Sequence, residues 1–149
     1  MENISKNDVL LFSFKNFHHG KIPCKVIRVI DGDTVHIVFE HLGQYIRLNC
    51  RLAGIDAPEM TKDHITSRRS RNRLIQLCTN CEINVDDTEI NKSTIEMLVD
   101  KNKMLIFVEF YGNDKFGREL VNLYARDGLC INTQLVNEGY AKEYDGGHK

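Results

Sequence analysis

The chain has 149 residues, of which 42% are hydrophobic and 28% are charged. This is the composition of a folded chain, and it excludes a disordered one. The length fits one domain, which we place at residues 22–149 after a leader at 1–21. The formal net charge is −1, so any nucleic-acid site is local, because long phosphate-binding surfaces are basic. No apolar run is long enough to cross a membrane, and the first residues do not form a secretory signal.

The cysteines number five, an odd number without the spacing of a disulfide framework. We therefore expect a reducing, intracellular compartment and no membrane partner. Cys78 and Cys81 have the C-x-x-C spacing of a zinc site. Because no second ligand pair accompanies them, we favour free thiols over a metal at this position.

Three strands are predicted in the first third of the chain, at residues 25–30, 34–39 and 45–52. The first two are joined by Asp-Gly, the commonest short hairpin signal. Apolar and polar residues alternate along the third, which is typical of a half-buried strand. Short turns between consecutive strands predict an antiparallel meander.

Helices and further strands follow in the second part of the chain. We predict helices at 64–79, at 93–100 with Ser93 as N-cap, and at 131–138 with Gly139 after its end, and strands at 104–110 and 120–125. The order predicts an α+β, mainly β fold, namely a five-stranded OB-fold barrel with two to three helices. The first three strands lack crossover helices, which argues against a doubly wound sheet.

Two acidic turns are expected to meet at one rim of this barrel. Asp33 opens the second strand, and the stretch GIDAPE, with Asp56 and Glu59, follows the third. Antiparallel neighbours bring the start of one strand beside the end of the next. Gathered carboxylates repel one another unless a cation lies between them, and oxygen ligands suit Ca²⁺ or Mg²⁺. Two separate solvent-facing turns are the alternative.

Two arginines accompany these acids. Arg51 precedes the second acidic turn and Arg118 lies in DKFGRE. Guanidinium groups beside a metal-bound phosphoryl oxygen are suited to binding a phosphodiester. The alternative is that both arginines are salt-bridge partners of the acids.

DGDTV, RLAGIDAPE and DKFGR, in this order, resemble the staphylococcal nuclease (thermonuclease) family from about Lys25 to Tyr144. The resemblance implies an OB-type barrel that hydrolyses DNA and RNA with one Ca²⁺ ion, with Mg²⁺ or another divalent ion as a possible substitute. It also implies cleavage of the P–O5′ bond to leave 3′-phosphate ends, a hydrolase activity of the EC 3.1.31 type. We expect single strands to be preferred and the protein to be a monomer.

The resemblance also implies roles for individual residues. Phe116 stands where the family motif has tyrosine, and Ala57 stands where it often has threonine. The implied metal ligands are Asp33, Asp56 and the backbone carbonyl of Ala57; the implied catalytic residues are Glu59 for the attacking water and Arg51 and Arg118 for the scissile phosphate; the substrate-binding residues are Lys115, Phe116 and Tyr144.

The stretch SRRSRNR, residues 67–73, contains four arginines. Arg69 and Arg73 share one helix face at the i, i+4 spacing, while Arg68 and Arg71 lie three residues apart. We count Arg69 and Arg73 among the candidate substrate-binding residues, as a strip that binds phosphates. A solvated helix face is the alternative.

Two other classes of protein remain open. The first is a non-catalytic module that keeps the barrel and binds nucleic acid or protein. The second is a structural barrel that contacts a partner through its thiols. The complete set of acids and arginines favours the enzyme, because a module that only binds does not need it.

Overall fold

The computed structural model describes residues 20–60 and 64–145. The predicted leader therefore lies outside the described residues except at its last two positions. The described strands are β1 (Ile22–Asp31), β2 (Thr34–His41), β3 (Gln44–Leu52), β4 (Ile55–Asp56), β5 (Ile106–Asn113), β6 (Glu119–Tyr124) and β7 (Lys142–Glu143). The described helices are α1 (His64–Cys78), α2 (Lys92–Lys101) and α3 (Ile131–Asn137).

Five of the strands close into a barrel in the order β1-β2-β3-β6-β5. β3 and β6 pair in parallel, while the other neighbours pair antiparallel. The predicted OB-type barrel with its helices is confirmed. The pairing of β4 with β7 was not predicted, because two-residue strands are too short to carry an alternating pattern.

The barrel interior and the inner faces of the helices form one apolar core. Ile37 of β2, Leu52 of β3 and Val108 of β5 are fully buried. Leu74 of α1 and Val99 of α2 are buried in the same cluster. Removing these side chains from water is the main force that holds the helices against the barrel.

The sequence predicted the residue at the start of α2 and the glycine after the end of α3. The N-cap of α2 is Asn91, whose side-chain oxygen accepts a hydrogen bond from the Ser93 amide at 2.8 Å. The prediction of Ser93 as N-cap was therefore wrong, because the Ser93 hydroxyl itself donates to Asn91. Gly139 follows the cap residue of α3 with φ +82°, as predicted for the left-handed residue that ends a helix.

The polar loop 79–91 is attached to α1 by a buried amide. The Asn72 side-chain nitrogen lies 3.3, 3.2 and 3.1 Å from the carbonyl oxygens of Asn84, Val85 and Asp87. Gln76 donates to the carbonyl of another loop residue. These hydrogen bonds fix the loop beside the start of α2.

Within the described residues, no helix combines the length and apolarity that crossing a membrane requires.

Candidate active site

The turn Gly32–Asp33 joins β1 to β2, as the Asp-Gly pair predicts. The Asp33 amide donates to the side chain of Asp31 at 3.1 Å. A Cβ at Gly32 would lie 2.2 Å from the Ser70 hydroxyl of α1 and 2.8 Å from the Ala57 Cβ. Only glycine allows the turn to approach α1 this closely.

Strand register brings this turn to the second acidic stretch. Thr34 pairs with Arg51 across β2 and β3, and the Asp33 carbonyl accepts a hydrogen bond from the Leu52 amide at 2.8 Å. The Asp33 carboxylate accepts another from the Ala57 amide at 2.9 Å. The predicted meeting of the two acidic turns is confirmed.

Arg51 lies between the two carboxylates that the sequence proposed as metal ligands. Its guanidinium nitrogens are 3.0 Å from Asp33 Oδ2 and 3.3 Å from Asp56 Oδ1. It also donates to the Ile55 carbonyl at 3.2 Å. Burial alone would lower the pKa of Arg51, but the charge and hydrogen bonds of the two carboxylates raise it. In this structure Arg51 is thus a salt-bridge partner of the acids, which is the alternative interpretation given in the sequence analysis.

Asp31 is a site residue that the motif reasoning missed. Burial, and then the neighbouring Asp33 carboxylate, raise the pKa of Asp31 well above its usual range. Burial also opposes ionisation of Asp33, yet the hydrogen bonds from Asp31 and from the Ala57 amide, with the Arg51 charge, lower its pKa. The signal was present in the sequence, because DGD places a carboxylate on each side of the turn glycine.

A cleft of about 390 Å³ opens above these groups. We call it the acidic cleft. It is lined by Ile30, Asp31, Asp33, Thr34, Arg51, Asp56, Ala57, Glu59, Met60 and Arg118. All six residues predicted for metal binding and catalysis therefore lie together.

Arg118 is oriented by a residue that the motif reasoning also missed. Its Nε atom lies 2.8 Å from Asp114 Oδ2. The other oxygen of Asp114 accepts hydrogen bonds from the Phe116 and Arg118 amides, each at 2.9 Å. The carboxylate thus holds both the loop and the guanidinium. The i, i+4 spacing of Asp and Arg in DKFGR was the available signal.

A second cleft, of about 760 Å³, adjoins the first and shares Arg51, Asp56, Glu59 and Arg118 with it. We call it the aromatic cleft, because its lining also includes Phe116 and Tyr144. The full lining is Arg51, Leu52, Ala53, Gly54, Ile55, Asp56, Glu59, Asn113, Asp114, Lys115, Phe116, Arg118, Leu120, Tyr144 and Asp145. The three predicted substrate-binding residues Lys115, Phe116 and Tyr144 are therefore beside the predicted catalytic residues.

Arg69 and Arg73 line neither of these clefts. Arg69 lies 2.7 Å from a carboxylate oxygen of Asp86. Arg73 binds Glu138 through two nitrogens, at 2.6 and 2.9 Å. The two guanidinium groups thus form ion pairs with an acid of the loop 79–91 and with the acid that follows α3. A role for the two arginines in substrate binding stays a prediction without support from these contacts.

The donor chemistry of the acidic cleft fits a hard divalent cation. Asp33 and Asp56 offer carboxylate oxygens, which Ca²⁺ and Mg²⁺ prefer, and both now take their compensating positive charge from Arg51. Among residues 20–60 and 64–145, no three His, Cys, Asp or Glu side chains form a ligand set by themselves. A metal here would therefore need backbone oxygens and water in addition.

The C-x-x-C pair has protein contacts of its own. Cys78 is fully buried in the apolar core, and burial raises the pKa of its thiol. Cys81 donates to the Leu98 carbonyl at 3.0 Å. The thiols of Cys24 and Cys50 are likewise buried. Buried thiols of this kind act as small apolar groups.

The fold and the site together define an OB-barrel protein whose cleft combines carboxylates with two arginines. A model of the family described as "Staphylococcal nuclease homologue" matches residues 49–149. The chain belongs to this family, which confirms the resemblance of its motifs.

Relatives with curated names agree with the family assignment. Two proteins named "Uncharacterized endonuclease", from Escherichia coli O157:H7 and from Escherichia coli, are each 29% identical to it over 127 residues. The match covers 85% of this chain and 61% of each relative. The chain therefore spans less than two thirds of the length of these curated relatives.

Proposed function

We propose that this protein is a Ca²⁺-dependent nuclease that hydrolyses DNA and RNA at the P–O5′ bond and leaves 3′-phosphate ends. The observation that carries the proposal is the acidic cleft, where three aspartates, Glu59 and two arginines line one space. The family match supports a nuclease, and the endonuclease names of the relatives point the same way.

Asp33, Asp56 and the Ala57 carbonyl would hold the ion, with Mg²⁺ as the alternative. A bound ion would supply positive charge to stabilise a phosphoryl oxygen. The Arg51 guanidinium, which now contacts the two carboxylates, would then be available to the phosphate. Bidentate binding of phosphate oxygens is the contact for which arginine is best suited.

Glu59 accepts a proton from the attacking water. The water oxygen forms a bond to phosphorus, and the bond between phosphorus and the 5′-oxygen breaks. Arg51 and Arg118 stabilise the negative charge that develops on the phosphoryl oxygens. Water supplies the proton to the departing 5′-oxygen, because a guanidinium hardly deprotonates.

The aromatic cleft supports a single-stranded substrate. Phe116 is 72% exposed, so its ring is available for a base to stack on. Tyr144 lies in the same cleft, with the Arg51 guanidinium 5.8 Å from its ring centroid. Stacking on aromatic rings requires unpaired bases, and Lys115 adds a charge for a neighbouring phosphate.

The test is hydrolysis of single-stranded DNA and of RNA, with Ca²⁺, with Mg²⁺ and with EDTA. Glu59→Gln should lower the rate about 10²- to 10⁴-fold, the usual contribution of a general base. Glu40→Gln, a change of the same type at an exposed residue of β2, is the control and should leave the rate unchanged. Mass spectrometry of the products should find 3′-phosphate ends.

Absence of cleavage would contradict the proposal. If the folded protein cleaves neither substrate with any of these metals, the enzyme is excluded. The non-catalytic binding module then becomes the better description of the same clefts.

A further inference from the structure

A third cleft, of about 450 Å³, lies on the other side of the acidic cleft. We call it the arginine cleft. It is enclosed by β1, α1, the loop 79–91 and the start of α2, and it shares Ile30 and Met60 with the acidic cleft. Its lining is Arg28, Val29, Ile30, Met60, Arg68, Arg71, Glu89, Ile90, Asn91, Lys92, Ile95 and Glu96.

Arg71 is the unusual residue of this cleft. Arg71 is only 6% exposed. Within the described part of the chain, its Nε and Nη2 atoms have only the neutral amide oxygen of Asn72 as partner, at 3.2 and 3.0 Å. Among residues 20–60 and 64–145, no carboxylate forms an ion pair with it.

An arginine in this position stays charged, because a guanidinium does not lose its proton in proteins. Burial, and then the charge of Arg68, lower the pKa of Arg71, as expected for a cation without a counter-charge. A buried charge without an opposite charge is costly. An anion bound in the cleft would remove that cost.

The remaining charges of the cleft do not neutralise Arg71. Arg28 lies 3.0 Å from Glu96, but both side chains are more than a third exposed, so the pair is weak. Arg68 donates to a backbone carbonyl at 2.9 Å, and the carboxylate of Glu89, whose side chain is 90% exposed, is 4.0 Å from it. With Lys92, the lining has four basic and two acidic side chains.

The start of α2 adds to this positive potential. Asn91 and Lys92 line the cleft, and they are the N-cap and the first residue of the helix. The partial positive charge of a helix N-terminus favours anions. Here it accompanies a buried guanidinium that has no carboxylate partner in the part of the chain that the structure describes, so two independent features favour the same type of ligand.

We propose that the arginine cleft binds a phosphate group of the nucleic-acid strand whose scissile phosphate lies in the acidic cleft. The inference rests on the proposed function, because it extends the substrate beyond the reacting nucleotides. Phosphate is the ligand that suits the guanidinium fork. Arg28 precedes Asp31 by three residues of β1, about 10 Å at the rise of a strand. A nucleic-acid strand with the rise per nucleotide of a duplex covers the same length in about three nucleotides.

The experiment measures binding in EDTA, with a thymidine dinucleotide and with a thymidine strand of about twelve nucleotides, within the site sizes of OB folds. The variants are Arg71→Lys, which keeps the charge but loses the fork, and Arg68→Gln at the more exposed position. Arg126→Gln is the matched control, because it removes one charge from an exposed residue that lines none of the three clefts. Circular dichroism confirms that each variant is folded.

We expect Arg68→Gln and Arg71→Lys each to weaken binding of the long strand about tenfold, the loss of one charged hydrogen bond. For Arg68→Gln, the slope of log K against log salt should also fall by about 0.7. Binding of the dinucleotide, and all binding by Arg126→Gln, should change less than twofold.

Three results would overturn the inference. Equal binding of the long strand by folded variants and wild type, in a protein that cleaves DNA, refutes the arginine cleft and leaves the proposed function intact. Thermal stabilisation by inorganic phosphate that is lost in Arg68→Gln, with strand binding unchanged, assigns the cleft to a free anion. Wild type that neither binds nor cleaves any strand refutes the proposed function together with the inference.

Discussion

The acidic cleft and the arginine cleft lie side by side, but they treat charge in opposite ways. In the acidic cleft Arg51 contacts both Asp33 and Asp56, so the opposite charges compensate one another within the protein. In the arginine cleft, the buried Arg71 has only the neutral side chain of Asn72 as its partner among residues 20–60 and 64–145. The acidic cleft thus already holds opposite charges in contact, whereas the arginine cleft favours the binding of an anion.

This difference follows from how each cleft is assembled. The acidic cleft is made at one rim by a turn and two paired strands, and strand register places Thr34 opposite Arg51. The arginine cleft combines a strand, a helix, a loop and a second helix end. Strand register thus places Arg51 beside its carboxylates, whereas the elements around Arg71 bring no carboxylate of residues 20–60 and 64–145 into an ion pair with it. The second cleft therefore suits an external phosphate.

Of the substitutions that test this comparison, removal of the Arg51 guanidinium is expected to have the largest effect on stability. Arg51→Met removes the guanidinium that contacts Asp33 and Asp56, and the free energy of unfolding in EDTA should fall by about 3 kcal/mol. Thermal denaturation should show a loss of about 2–4 °C for each kcal/mol. Ca²⁺ should raise the melting temperature of Arg51→Met more than that of wild type.

The control for this variant is Arg47→Met, an exposed position on the same strand, which should change the melting temperature little. If Ca²⁺ fails to stabilise Arg51→Met beyond wild type, the acidic cleft is not the cation site that we propose.

The turn at Gly32 borders the acidic cleft and packs against α1, which lines part of the arginine cleft, and this packing can be tested by substitution. Gly32→Ala puts a methyl group 2.2 Å from the Ser70 hydroxyl, and Ser70 directly precedes Arg71 on α1. We expect a loss of about 1–3 kcal/mol in the free energy of unfolding, the usual cost of overpacking, measured by urea denaturation. Displacement of the turn should also lower the rate of hydrolysis.

A double-mutant cycle sharpens this test. Ser70→Ala removes the nearest clashing atom, so Gly32→Ala should cost less in that background than in wild type. Equal costs in the two backgrounds would argue against the close packing of this turn on α1.

A third buried charge tests the premise that an unpaired charge is costly. Glu119 is 6% exposed, its Oε2 atom has no hydrogen-bond partner among the described residues, and burial raises its pKa. Its contribution to stability is present below the unfolded-state pKa of about 4.3 and is lost as the pH rises through the raised folded-state pKa. Glu119→Gln should therefore add about 1 kcal/mol to the free energy of unfolding near pH 8.

The same substitution should have little effect near about pH 4, where the unfolded carboxyl is largely protonated. Glu40→Gln serves as the exposed control at both pH values. A gain that is equal at the two pH values would show that ionisation of Glu119 is not the cause.

The smallest effect is expected on the other face of α1. Arg69 and Arg73 pair with Asp86 and Glu138, and exposed pairs of this kind contribute about 0.2–1 kcal/mol. Arg69→Gln and Arg73→Gln should change the affinity for single-stranded DNA less than about twofold, a change comparable to the weakest pair energies. If either substitution weakens binding as much as Arg68→Gln does, the sequence-based prediction that Arg69 and Arg73 bind substrate is supported. The proposed difference between the two faces of α1 would then be wrong.

Much of the acidic cleft could be predicted because its information is local. The Asp-Gly turn places Asp33 at the start of β2, and alternation along β3 identifies that strand before the acidic stretch. Antiparallel pairing then brings the two together. Asp31 and Asp114 were missed because they act through neighbours, Asp33 and Arg118, that the motifs already named.

The arginines of α1 show where this reasoning stops. Helix periodicity separates the pair Arg69 and Arg73 from the pair Arg68 and Arg71, but it does not say which face an acid will cover. Arg73 meets Glu138, which is 65 residues away along the chain. No local pattern reports a contact of that separation, and the face chosen from the sequence was the one that acids occupy.

The amino-acid sequence by itself thus determined the five strands of the barrel, the turns between them and most of the charged residues in the acidic cleft, because backbone preferences and alternation act over a few positions. Only the tertiary structure decided which charges are compensated and which are not. That outcome depends on how the loop 79–91 and the helices pack against β1, since a charge is paired only where the folded chain brings an opposite charge within a few ångströms.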